Sequence, residues 1–397
     1  MSGLAPDSLP STRKEWETKV TERKLGGQTI HAAELASGPK IGYDQFLLLR
    51  VLWVTYGLGV SLPKTINGLL PRAVEMLADY PSWKTYCDNF NDSKNPEGSF
   101  SVARHYQKMA ANSKGNIRPN TFDTPVALRT RSKRNVQVPD ISKLQLNPPE
   151  TPTKLPQTPV LSPAEDDWVL DDEESPPTPI TPAAKVPEDL QKLMFPPTKD
   201  EQIVNTALVV FLNALTIHFG VSETCNWTMH RKGFVAKFAE ASFEARTDGY
   251  LDDGQENAYA LIEVKPVIRR IKRNLIQMQE SAQMVGWIMN DTDKNNIDKM
   301  RVHVSQDRHE IFLTFAEYEN DYLAYLKTAP SKPETSKTAK SENKSSENQK
   351  SPFMTMHQYG PWDTRNSSHM KQLGPILLAI ALYADSEIRA KQKSQNR

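Results

Sequence analysis

Arg246-Thr247-Asp248-Gly249-Tyr250-Leu251, followed by Ala260-Leu261-Ile262-Glu263-Val264-Lys265-Pro266, is the stretch on which the reading of this 397-residue chain turns. The second run is short and mostly apolar, and a period of two puts Glu263 and Lys265 on one face of a strand. Between the runs, Asp252-Asp253-Gly254 is a turn signal, so the first run folds back on the second as a hairpin. Asp248 and Glu263 then converge on one spot beside a lysine. Leu261, Ile262 and Val264 argue that this spot is buried; the competing reading, an exposed Glu263–Lys265 pair on a surface hairpin, would contribute little.

Two carboxylates suit a hard divalent cation, Mg²⁺ or Mn²⁺, and a neighbouring lysine can position or deprotonate water, or stabilise charge on a phosphate. This Asp, spacer, Glu-x-Lys pattern resembles the PD-(D/E)XK nuclease superfamily. The wider context, with Gln279-Glu280-Ser281-Ala282-Gln283-Met284-Val285-Gly286-Trp287-Ile288 and Tyr359-Gly360-Pro361-Trp362, is similar to the PD-(D/E)XK nuclease-like proteins of filamentous fungi. Thr247 stands where the superfamily name has proline. The resemblance spans roughly residues 196–390.

It implies an α/β fold, a restriction-endonuclease-like mixed sheet flanked by helices, and metal-dependent hydrolysis of phosphodiester bonds in nucleic acid, DNA before RNA. Asp248, Glu263 and the Val264 carbonyl would hold Mg²⁺ or Mn²⁺, and Lys265 would position the attacking water. An acidic residue on the family's first helix completes the metal site, and Glu201 is the matching position. Thr198-x-x-Glu201 is equally a capping box, in which Glu201 would reach back to the Thr198 amide. A glutamine on the helix after the Glu-x-Lys strand contacts substrate or orients the lysine; Gln279 matches it, with Gln283 one turn later as second choice. Arg269, Arg270, Lys272 and Arg273 follow the strand and are candidate contacts to a nucleic-acid backbone.

Composition bounds the rest. Twenty-nine prolines and a mean hydropathy of -0.59 say that much of the chain is unpacked. Two cysteines without zinc spacing, and no charged-then-apolar leader, point to an intracellular compartment. Arg129-Thr130-Arg131-Ser132-Lys133-Arg134 adds a short nuclear-import-like signal. The longest apolar runs are too short or too interrupted for a bilayer, so no membrane segment is expected. Residues 199–327 carry 15 Lys and Arg against 19 Asp and Glu, which weighs against tight nonspecific DNA binding. A non-catalytic module that binds nucleic acid or protein on the same fold is therefore the second reading.

Four segments are expected. Residues 1–42 form a flexible N-terminus. Residues 43–114 form a small helical unit in which Asp44 caps a helix running to Leu58. Residues 115–197 form a disordered Pro/Ser/Thr-rich acidic linker, whose acidic run at 165–174 is a candidate docking segment for a protein partner. Residues 198–390 form the nuclease-like domain, with a disordered insert at 328–350. Within it, helices are predicted over 198–218, 269–289 and 372–389, and strands near 302–305, 310–315 and 353–359.

Overall fold

In the computed structural model, which describes residues 8–92, 95–113, 197–291, 299–329 and 352–395, the hairpin forms where its turn signal places it. β5 (Gly249–Asp252) pairs antiparallel with β6 (Ala258–Lys265), Gly249 opposite Ile262. The Asp253 carboxylate closes the turn by accepting from the amides of Gln255 and Asn257. On the other edge of β5, β2 (Asn226–Thr228) comes so close that a Cβ on Gly249 would strike the Thr228 carbonyl. The glycine after Asp248 is thus required by strand packing.

β6 is continued by α7 (Arg269–Asn290), which crosses over to β7 (Arg301–Asp307), parallel to β6. A parallel pair needs such a crossover. β8 (Glu310–Glu317) and β9 (Met354–Asp363) extend the sheet antiparallel. The resulting seven-stranded mixed sheet runs β1-β9-β8-β7-β6-β5-β2, and β3 (Gly233–Lys237) and β4 (Ser242–Arg246) make a separate hairpin. α6 (Glu201–Thr216) and α9 (Ser367–Gln395) bury one face of the sheet, meeting Ala260, Ile262 and Val264 of β6. α7 and the β3–β4 hairpin cover the other, where Leu261 lies. The period of two therefore sends Glu263 and Lys265 to the α7 side, as expected.

The N-terminal third departs from its sequence reading. α2 is only Tyr43–Leu48 and is capped by Gly42, without a side-chain bond from Asp44. The chain then turns at Arg50, whose φ is 53°, and enters β1 (Val51–Tyr56), parallel to β9. A continuous apolar run cannot by itself distinguish a helix from a buried strand; here the β-branched and aromatic residues Val51, Trp53, Val54 and Tyr56 decide for the strand. Trp53 Nε1 donates to Ser281 Oγ of α7 at 2.9 Å, which ties this strand to the far layer.

Nor is 43–114 a separate unit, since all described residues belong to one compact body. α3 (Lys64–Ala78), α4 (Pro81–Asp88) and α5 (Phe100–Asn112) pack on α6 and α9. Trp83, Tyr86 and Phe100 stack around Phe211, and Trp83 presses so close to α9 that only a glycine fits at Gly374. Residues 8–42 are not a flexible arm either. α1 (Arg13–Glu22) is anchored by Trp16, whose Nε1 donates to the Leu47 carbonyl at 2.8 Å, and Leu9, Leu25, Ile30 and Ile41 are buried. Scattered apolar residues without a period gave no hint of this.

Residues 114–196 and 330–351 lie outside the described residues, and with them nearly all of the linker, its acidic run, the basic hexamer and nearly all of the insert. No helix among the described residues is long and apolar enough to cross a membrane.

Candidate carboxylate and lysine site

At the C-terminal end of β6 three carboxylates gather around Lys265. Glu263, 1% exposed, contacts Lys265 Nζ through Oε1, and Glu201 Oε1 lies 3.5 Å from the same ammonium. Asp248 enters from the bend just before β5. Its amide donates to the Ile262 carbonyl at 3.0 Å, its carbonyl accepts from Asn205 of α6 at 3.1 Å, and its Oδ2 accepts from the Val264 amide at 3.1 Å. Because a strand residue's N–H and C=O point to the same side, the Val264 carbonyl also faces that side of the sheet.

Glu201 resolves its two readings through its neighbours. The helix is capped by Asp200, whose carboxylate accepts from the Gln202 amide at 2.9 Å, and the Thr198 amide donates to Pro266 instead. No capping box forms, and Glu201 turns toward Lys265. Asp200→Ala should therefore lower stability by about 1 kcal/mol, the usual worth of an N-cap. Glu201→Ala should leave the melting temperature near wild type. Equal losses in the two variants, read by thermal denaturation, would show that Glu201 serves the helix rather than the site.

Both glutamines reach the site. Gln279 Nε2 donates to Glu263 Oε1, and Gln283 Nε2 to Oε2, each at 2.6 Å. Gln283, fully buried, also donates to the Arg246 carbonyl at 2.7 Å. The resemblance points to Gln279 with Gln283 as its alternative; the spacing of four on one helix face brings both to the same carboxylate.

The electrostatics are those of crowded negative charge in a dry place. Burial, foremost, and then the charge of Asp248 push Glu263 up to about 8, against the pull of Lys265 and Gln283. Burial and Asp248 likewise raise Glu201 above the usual carboxylate range, although Lys265 and Arg231 oppose this. Burial alone would lower Lys265, but Glu263, Glu201 and Asp248 outweigh it and raise the ammonium well above its ordinary value. The three carboxylates thus favour the ammonium form of Lys265, which can donate hydrogen bonds and stabilise negative charge.

Among the described residues, no three His, Cys, Asp or Glu side chains stand ready-made around one metal ion. Lys265 and Arg231 instead serve the carboxylates as counter-ions, Arg231 Nη2 lying 3.4 Å from Asp248 Oδ1. Sequence reasoning did not single out Arg231, which sits in the loop between β2 and β3 and has no motif to mark it.

Arg269 is not a surface contact. It is 2% exposed and runs beneath the site, with Nε 2.5 Å from Asp307 Oδ2 and Nη1 2.8 Å from Gln358 Oε1. Both terminal nitrogens also meet Glu280, and the guanidinium lies over Phe312. Two buried carboxylates hold it inside, where a backbone phosphate could not reach. Arg270 and Arg273 are exposed, and Lys272, half-buried, marks a kink in α7 with φ −135° and ψ 32°. A cavity of about 630 Å³ at the turn end of the β5–β6 hairpin, lined by Tyr259, Trp287 and Tyr383, contains none of these site residues.

No family model, curated protein or solved structure matches the chain.

Proposed function

We propose that the chain is a metal-dependent phosphodiesterase acting on nucleic acid, with DNA the first substrate to test. The observation that carries this reading is the convergence of Glu201, Asp248 and Glu263 on Lys265 and two glutamines at the end of β6. The run α6-β2-β3-β4-β5-β6-α7-β7, with β6 and β7 parallel, supports the restriction-endonuclease-like assignment expected from the sequence.

The donors fit Mg²⁺ or Mn²⁺ in kind. They are all oxygens, and burial, with the charge of Asp248 added to it, raises Glu263, a shift that a bound cation would oppose. Asp248, Glu263 and the Val264 carbonyl would hold the ion, with Glu201 beside them. When bound, the cation would polarise the phosphodiester and lower the pKa of water. The chain's own residues do the rest. Gln279 and Gln283 fix the Glu263 carboxylate in one orientation. Lys265, its ammonium form favoured by the carboxylates around it, donates to water and to the phosphate oxygens as negative charge develops. Arg270 and Arg273 are exposed in the first turns of α7, beyond the end of β6, where they can take the flanking backbone.

One observation favours the non-catalytic alternative: Glu263 already has hydrogen-bond donors on both oxygens, and a satisfied buried cluster needs no ion to be stable. Incubating purified protein with Mg²⁺ or Mn²⁺ and single-stranded, duplex or branched DNA, or RNA, decides between them. Cleavage that chelator abolishes is the expected result. Absence of both cleavage and calorimetric Mn²⁺ binding would leave the binding module standing and remove the enzyme.

A further inference from the structure

Arg231 belongs to the loop of residues 229–232, between β2 and β3, and that loop is zipped to the site. The Lys232 carbonyl accepts from the Thr247 amide at 3.0 Å, one residue before Asp248. From this anchor the guanidinium reaches back over Asp248. Its side chain is 39% exposed where that of Asp248 is 12% exposed, so it stands on the solvent side of the acidic cluster while Lys265 stands inside. Its charge is also felt at Glu201. Arg231 thus flanks Asp248 from the solvent side and acts electrostatically on Glu201 as well.

At 3.4 Å and with that exposure, the pair with Asp248 is a weak one, of about 1 kcal/mol or less. A divalent cation competes for the same carboxylate with twice the charge and would displace it. The displaced guanidinium, still tethered by Lys232, would be left at the mouth of the site. Its planar fork of N–H donors matches two oxygens of a phosphodiester, which a lysine cannot do.

We propose that Arg231 is an exchangeable counter-ion: it holds Asp248 while no metal is present, and turns to the non-bridging oxygens of a substrate phosphate once the metal takes that carboxylate. The site then recognises its substrate by phosphodiester backbone at this position, not by base. This rests on the metal-dependent reading above.

The test uses the full chain as wild type, Arg231→Gln, Arg231→Lys and Asp248→Asn. Mn²⁺ binding is followed by calorimetry, and binding of a fluorescein-labelled 20-base-pair DNA duplex by anisotropy in Ca²⁺. Arg231→Gln should bind Mn²⁺ about two- to fivefold more tightly, the fold-change equivalent of losing a weak competing pair. It should bind the duplex about tenfold more weakly, with a salt slope shallower by about 1. Arg231→Lys should keep wild-type Mn²⁺ affinity yet fail to restore the duplex. Unchanged Mn²⁺ affinity in Arg231→Gln, or unchanged duplex affinity, overturns the proposal and leaves the metal-dependent reading intact. Failure of both wild type and Arg231→Gln to bind Mn²⁺ overturns that reading and takes this one with it.

Discussion

Asp248→Asn should abolish Mn²⁺ binding and cut metal-dependent cleavage by on the order of 10³-fold or more, because several kcal/mol of charge stabilisation leave with the ion. The substitution is chosen to spare the fold. An asparagine oxygen can still accept from the Val264 amide, and the backbone bonds to Ile262 and Asn205 are untouched. Melting temperature should therefore change little. Lys265→Met supplies the contrast. A lost hydrogen-bond donor and charge stabiliser costs about 10²- to 10³-fold in rate, while the Asp248 carboxylate and the Val264 carbonyl remain for the ion. Initial rates and Mn²⁺ calorimetry on the same preparations separate the two roles. Wild-type cleavage rates in Asp248→Asn would place the chemistry elsewhere on the molecule.

The centre of this site could be read from the sequence, and its margins could not, for physical reasons that differ by residue. Asp248, Glu263 and Lys265 were legible because strand period and turn chemistry act over a few residues, and a hairpin converts that local information into contact. Gln279, with Gln283 as second choice, rests on the family resemblance, and the fold brings both to Glu263. Glu201 carried two local readings of equal weight, and only the neighbours from outside its helix, Asp200 at the cap and Lys265 across the site, decide between them. Arg231 touches Asp248 by way of a loop path that no period describes. The β1 segment was read as helix because an unbroken apolar run carries no period; its partner β9 lies about 300 residues on, where propensity cannot see it. The helices α3, α4 and α5 were legible as amphipathic elements, but the aromatic cluster that welds them to α6 and α9 is tertiary information.

Arg269 is the plainest misreading. In sequence it is one of four basic residues after a strand, which suggests solvent and phosphate. In the fold it is the buried cation of a polar layer, with partners eleven, 38 and 89 residues away. The layer continues through Ser305, whose hydroxyl donates to Glu280 at 2.6 Å, and Gln277, whose amide donates to Gln358 at 3.0 Å. It lies between α7 and the sheet, on the same face as Glu263, so it fixes the helix that carries both glutamines.

Removing that cation should have the largest effect on stability of any single change in the domain. Arg269→Met leaves Glu280 and Asp307 buried without their counter-ion, a defect of about 3–5 kcal/mol in a fold whose whole margin is on the order of 5–15 kcal/mol. The loss should depend on pH with a definite sign. Burial, foremost, and Glu280 already hold Asp307 at about 6, with Arg269 opposing them, against an ordinary value of 3.8. Without the arginine it rises further. A carboxylate raised in the folded state costs stability that grows as pH rises from its unfolded value to its folded one, so relative to wild type the Asp307 part of the defect should be small below about pH 6 and widen as pH rises above it. Urea midpoints of wild type and Arg269→Met at several pH values measure this directly. The triple variant Arg269→Met, Glu280→Gln, Asp307→Asn removes charge from both sides and should recover most of the loss at neutral pH, since a neutral buried set replaces an ionic one at little net cost. Recovery of stability without recovery of cleavage would assign the layer to positioning Gln279 and Gln283; a single variant as stable as wild type at neutral pH would mean that the buried carboxylates are not charged in the folded protein.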